Sequence, residues 1–157
     1  MAPPAVCHLP GFMKFIADAM LGKLAKRMRI LGLDVLYDPK LDDNEIIGRA
    51  LEQDRLILTR DRALSARPLA AHHLFINSEQ AEEQLDQVLS AGPAEQRPLT
   101  RCSECNELIV PVPKQDVHDL VPQHVYEKTD VFLLCPKCRR LYWQGTHVTR
   151  MKLRKIK

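Results

Sequence analysis

Leu56-Ile57-Leu58-Thr59-Arg60-Asp61 is a continuous apolar run that ends abruptly in charge. A strand with one wet face alternates apolar and polar residues. An unbroken run instead fits a central parallel strand covered by helices on both sides. Asp61 then falls just beyond the strand's carboxyl end. In an open parallel sheet those ends form the crevice where ligands bind.

Working outward, the surrounding chain alternates element types. Lys14 to Ala17 reads as a short strand that ends on Asp18. Leu21, Leu24, Ala25, Met28 and Leu31 recur at three- and four-residue steps, which predicts an amphipathic helix stopped by Gly32. Val35-Leu36-Tyr37 is a second strand. Asp42 can cap a helix whose buried face is Ile46, Ile47, Ala50 and Leu51. His73-Leu74-Phe75-Ile76 is a fourth strand, and Ser78 caps a last helix with Ala81, Leu85, Val88 and Leu89 inward. Strands alternating with helices over short connections imply an α/β fold with a parallel sheet and right-handed crossovers.

Gly92-Pro93-Ala94-Glu95-Gln96-Arg97-Pro98 breaks this pattern and reads as a linker over 92–98 between an α/β domain at 13–91 and a second domain at 99–149. The second domain holds Cys102-Ser103-Glu104-Cys105 and Cys135-Pro136-Lys137-Cys138. Each C-x-x-C turn delivers two thiolates from one backbone excursion, and two such turns complete the tetrahedral shell of a structural zinc. The 29 intervening residues leave room for a hairpin or a longer insertion. Redox dithiols and disulfides fit less well, because neither a thioredoxin unit nor a secretory signal is recognisable. Cys102, Cys105, Cys135 and Cys138 are therefore expected to hold one structural zinc. A saturated shell of four thiolates leaves them no catalytic role.

Composition narrows the function. At 157 residues with 45% apolar content the chain can build packed cores, while 5% aromatic is low for a base-stacking surface. No apolar stretch approaches the roughly 20 residues that cross a bilayer. Residues 1–12, with the unpaired Cys7, read as a loose tail or as lying upstream of a start at Met13. A reducing cytoplasm is the expected compartment. The net charge of +3 is unevenly spread. Eleven Lys/Arg stand against thirteen Asp/Glu from Met13 to Ser90, but twelve against seven from Ala91 onward. The terminal stretch 150–157 carries Arg150, Lys152, Arg154, Lys155 and Lys157. Such a cluster suits nucleic-acid phosphate, and equally a solvated tail.

Acidic residues gather at the carboxyl ends of the expected strands: Asp18 after the first, Asp42 and Asp43 at the second helix, and Asp61 after the central strand. Hard divalent ions such as magnesium or manganese take oxygen ligands and keep several waters, so a few carboxylates suffice. Ions held there can stabilise the attacking and leaving oxygens of a phosphodiester. Lys23, Arg27, Arg60 and Arg62 lie nearby in sequence and could hold phosphates. Each acid also has a plainer reading. Asp42 is where a helix cap belongs, and Asp61 between two arginines suits a surface ion pair. Asp34 and Asp38 suit turns, and Glu45 a first-turn helix charge. Trp143, in Tyr142-Trp143-Gln144-Gly145-Thr146-His147 with an exposable tyrosine, could stack on an unpaired base or pack on the zinc domain. His147 reads as a hydrogen-bonded structural residue.

These stretches together resemble the Mut-seven C-terminal ribonuclease family. The resemblance is carried by Phe15-Ile16-Ala17-Asp18-Ala19-Met20-Leu21-Gly22-Lys23-Leu24-Ala25, Leu31-Gly32-Leu33-Asp34-Val35, Asp42-Asp43-Asn44-Glu45 and Leu58-Thr59-Arg60-Asp61. It continues through both knuckles and Tyr142 to His147, covering about residues 13 to 151. It implies a PIN-like three-layer parallel-sheet domain followed by a small zinc ribbon. It also implies an acidic active site on Asp18, Asp42 or Asp43, and Asp61. The expected function is metal-dependent hydrolysis of RNA, single-stranded or structured, with magnesium or manganese bound. The ribbon, Trp143 and the tail residues Lys152, Arg154 and Lys155 would help to hold the substrate, and no membrane is involved. The alternative is a non-catalytic RNA- or ribosome-binding ribbon on a degenerate nuclease domain.

Overall fold

The computed structural model describes residues 13–92 and 95–145. Residues 1–12 with Cys7, and His147, Arg150, Lys152, Arg154, Lys155 and Lys157, lie outside them. The chain divides into two compact units, one of residues 1–28 and 33–95, the other of residues 29–32 and 96–157.

The first unit carries four parallel strands: β1 (Lys14–Ala17), β2 (Asp34–Leu36), β3 (Arg55–Thr59) and β4 (His73–Phe75), in the order β2-β1-β3-β4. Helices α1 (Gly22–Ile30), α2 (Asp43–Gln53), α3 (Arg62–Ser65) and α4 (Ala81–Ala91) follow the strands. The crossover from β1 to β2 moves along the sheet in the opposite direction to those from β2 to β3 and from β3 to β4. Right-handed connections therefore put α1 on one face and α2 and α3 on the other. Arg27 of α1 pairs with Glu82 of α4 at 3.5 Å, so α4 lies beside α1. The middle of each strand is thus apolar because helices cover both faces.

Register fixes which side chains meet. Ile16 lies opposite Ile57, and both pack with Ile46, Ile47 and Ala50 of α2, Leu64 of α3 and Ala70. Phe15, Ala17 and Leu58 alternate to the other face, as the two-residue strand period requires. Each fully buried leucine or isoleucine contributes about 1.5–3 kcal/mol. The stripe along α1 and its two flanks is fully buried at Leu21, Leu24, Ala25, Met28 and Leu31, as expected.

Three local expectations are corrected. Leu51 is 57% exposed. At 3.6 residues per turn it stands roughly 90° from the centre of the stripe Ile46, Ile47 and Ala50. Ser78 does not cap α4, which begins at Ala81 after Gln80. It forms the turn before the helix, accepting from the Gln80 N–H at 3.0 Å and donating to the Glu83 carboxylate. Asp34 is not a turn residue. It opens β2 and pairs with Arg55 at 2.8 Å, largely shielded from water.

The second unit is a three-stranded antiparallel sheet, β5 (Val110–Val112), β6 (Phe132–Leu134) and β7 (Leu141–Tyr142), in that order. Between β5 and β6 stand a tight helical turn at Lys114–Val117 and the short helix α5 (Gln123–Lys128). The space between the knuckles is therefore an insertion with its own helix. Its core is Cys102, Cys135 and Ile109, joined by Leu133 and Tyr142. Gly32 also belongs to this unit. Its φ is +83°, and a Cβ there would lie 2.0 Å from the Arg97 carbonyl oxygen, so only glycine fits.

Candidate active site and metal centre

Asp18 and Thr59 extend the Ile16–Ile57 row to the carboxyl ends of β1 and β3. The Asp18 N–H donates to the Leu58 carbonyl at 3.0 Å, continuing the ladder one residue beyond the strand. Its carboxylate, only 5% exposed, is held by three donors. Oδ1 accepts from the Met20 N–H at 2.9 Å. Oδ2 accepts from the Thr59 hydroxyl at 2.5 Å and from the Arg60 N–H at 2.9 Å. The Thr59 oxygen in turn accepts the Asp61 N–H at 2.9 Å. Adjacent parallel strands thus bring Asp18 and Asp61 into one hydrogen-bonded network, at the edge where α1 and α3 leave for opposite faces.

Asp61 caps α3 through Oδ1, which accepts from the N–H groups of Ala63 at 2.8 Å and Leu64 at 3.4 Å. Its second oxygen accepts no hydrogen bond among the described residues. Asp42 caps α2 in a reciprocal box: it accepts from the Glu45 N–H, and Glu45 accepts from the Asp42 N–H, both at 2.9 Å. The plainer readings of Asp42 and Glu45 therefore describe bonds they make. Asp43 follows in the first turn of α2, half-buried and without a hydrogen-bond or ion-pair partner among the described residues. The α2 start follows β2, so it too belongs to the carboxyl edge of the sheet.

The nearby cations differ in their freedom. Arg60 reaches Glu79 at 3.5 Å, and Arg27 reaches Glu82. Arg62 lies over the Phe75 ring, 5.2 Å from its centre. Lys23 is exposed, has no acidic partner among the described residues, and opens with Arg27 onto a polar groove against Glu79 to Glu83.

In the second unit the four cysteine sulfurs lie within 4.8 Å of one another, with 3.6 Å between Cys102 and Cys138. This is the one close cluster of three or more metal-ligating side chains among the described residues. A tetrahedral zinc with bonds of about 2.3 Å separates its sulfurs by about 3.8 Å, so the cluster fits that ion. The cysteines are not joined as disulfides. The two knuckles share one backbone design. Cys102 N–H bonds the Glu107 carbonyl, as Cys135 N–H bonds that of Arg140. Asn106 and Arg139 both turn back through positive φ, 64° and 65°, to bond the carbonyls of Cys102 and Cys135. Cys105 N–H points at Cys102 Sγ, and Cys138 N–H at Cys135 Sγ, at 3.4 and 3.5 Å.

Without a cation the thiols titrate apart. Burial raises Cys102, but hydrogen bonds from Tyr142 and from the N–H groups of Cys105 and Glu104 outweigh it, leaving about 7. Burial and the neighbouring sulfurs push Cys105 up to about 12 and also raise Cys135.

The sequence assigns Thr59 and Arg29 no role in these sites and gives Tyr142 a different one. Thr59 was read only as the strand's last residue, although a hydroxyl two positions before an acid at a strand end is a usable signal. Arg29 stands four residues after Ala25, on the apolar stripe of α1, and a charge there asks for a partner. Its Nη1 donates to the Ser103 and Glu104 carbonyls, both at 3.1 Å. Tyr142, expected to be exposable, is half-buried with its hydroxyl on Cys102 Sγ at 3.0 Å. Trp143 meets the Phe132 ring edge-on, with centres 6.2 Å apart.

The Mut7-C RNAse domain model matches residues 13–155, most of the chain. No curated protein and no solved structure gives a significant match. The chain belongs to the Mut7-C RNAse domain family, as its motifs suggested, and the family's description implies RNA as substrate.

Proposed function

We propose that this member of the Mut7-C RNAse domain family is a metal-dependent ribonuclease that hydrolyses RNA phosphodiester bonds at the acidic edge of its parallel sheet. The observation that carries the reading is the pairing of Asp18 with Asp61 through Thr59, at the switch point where ligands of open α/β sheets bind. The donor set suits magnesium or manganese. Among the described residues the second oxygens of Asp61 and Asp42 and the Asp43 carboxylate accept no hydrogen bond. When bound, such an ion neutralises charge on the reacting phosphate and activates water as nucleophile.

The chain's own groups have separable tasks. Asp18 is fixed by three donors and supplies a buried negative charge that favours a cation at the edge. The α3 start orients Asp61 through Oδ1 and leaves Oδ2 without a donor among the described residues. Lys23 is the cation best placed to meet substrate phosphate, because Arg27 and Arg60 already face Glu82 and Glu79. The zinc ribbon and the basic residues of 150–157 would add RNA contacts of their own, and the free thiols suit a reducing cytoplasm. Among the described residues no helix is long and apolar enough to cross a membrane.

Purified protein incubated with single-stranded RNA tests this reading. Cleavage supported by magnesium or manganese and stopped by EDTA is expected. RNA affinity that persists in EDTA, with no cleavage under any divalent ion, would make the chain a binding module.

A further inference from the structure

We propose that Tyr142 is a positioning residue for the zinc centre, holding the first knuckle in the folded ribbon and leaving the second as the gate for metal exchange. The two knuckles share their backbone bonds but differ in what holds them from outside. The Tyr142 hydroxyl lies 3.0 Å from Cys102 Sγ, 3.1 Å from the Ser103 nitrogen and 3.2 Å from Ser103 Oγ. A metal-bound thiolate can only accept, so the phenol must spend its one proton on Cys102 Sγ. Its two lone pairs then take the Ser103 N–H and the Ser103 hydroxyl, which satisfies every group in the cluster. From the same unit, the Arg29 guanidinium, 4% exposed, binds the carbonyls of Ser103 and Glu104, the two residues between the ligands.

These bonds hold Cys102 and Cys105 in place when the second knuckle opens. The second knuckle receives only its own backbone among the described residues, and Cys138 is exposed. Outer partners of metal ligands typically change affinity by about 10–100-fold when removed. A hydrogen bond to a ligand sulfur also withdraws electron density from it, which alters the energy of sulfur-to-metal charge transfer.

Cobalt(II)-substituted protein tests the assignment. Tyr142→Phe keeps the ring and removes the bond to Cys102, with Tyr126→Phe as control because the Tyr126 ring meets Phe132, His118 and Lys114. The expected result is a shifted thiolate-to-cobalt charge-transfer band and about 10–100-fold faster zinc loss to a colorimetric chelator in Tyr142→Phe, with Tyr126→Phe unchanged. A purely packing role would leave the band where it is. An unshifted band with parent-like zinc release would overturn the proposal. A second measurement needs no variant. Alkylation of the zinc-loaded parent chain, mapped by mass spectrometry, should reach Cys138 and Cys135 before Cys102. Labelling of Cys102 as early as Cys138 would also overturn it.

Discussion

The hydroxyl of Thr59 donates to Oδ2 of Asp18 at 2.5 Å, and the same oxygen accepts the N–H that sets the direction of Asp61. One buried side chain therefore fixes two acids that the sequence places 43 positions apart. Thr59→Val keeps the shape and removes both bonds. Leaving a buried acceptor short of a donor costs about 1–3 kcal/mol, so the first unit should unfold at correspondingly lower urea. Thr59→Ser should recover most of the loss. Equal urea midpoints for valine and threonine would show that the bridge contributes nothing.

Removal of zinc should unfold the ribbon alone. Structural zinc contributes about 10–16 kcal/mol of apparent binding free energy, above a small domain's total stability. Cys105→Ser and Cys138→Ser should give chains with less than one bound zinc and no ordered second unit by amide exchange, while the helices before Gly92 persist. Full zinc content in either variant would contradict the four-thiolate assignment.

Zinc affinity should rise with pH. Cys105, pushed up to about 12 in this arrangement, and Cys135, also raised, hold protons at neutral pH whenever no metal is bound. A raised thiol pKa favours the protonated, metal-free state below that value, so zinc must displace these protons, and acidification weakens it. Release of at least these two protons implies at least about a hundredfold loss of affinity per pH unit lowered. Titration between pH 6 and 8 with a competing chelator checks this, and a pH-independent affinity would contradict it.

Gly32→Ala should be among the most damaging single changes. The left-handed backbone costs a non-glycine residue about 1–2 kcal/mol, and the new Cβ must also push away the Arg97 carbonyl from 2.0 Å. A thermal midpoint equal to that of the parent would show that this turn relaxes freely.

What the sequence revealed follows its physics. Repeating signals survived: the apolar run at Leu56, the stripe from Leu21 to Leu31 and the cysteine pairs each rest on a period or a fixed spacing. The acids at Asp18, Asp42 and Asp61 were legible because strand ends and helix starts announce themselves locally. Tyr142 on Cys102 was not, because that contact joins residues 40 positions apart, and no periodicity links them. Arg29 was hidden for the same reason, its partners lying 74 and 75 positions on. Leu51 was misjudged because an apolar residue at the flank of a stripe looks the same in sequence whether covered or bare.

The central claim is that the acids at the sheet edge cut RNA, and the most direct test is the rate of single-stranded RNA cleavage in manganese by Asp61→Asn. Asparagine keeps the oxygen that caps α3 and removes the charge, so the fold should survive. Losing a ligand worth several kcal/mol of charge stabilisation should slow cleavage by at least about a hundredfold. Asp38→Asn, whose oxygen closes a turn onto the Lys40 N–H, should cleave like the parent. Parent-like cleavage by folded Asp61→Asn, free of contaminating nuclease, would contradict the account.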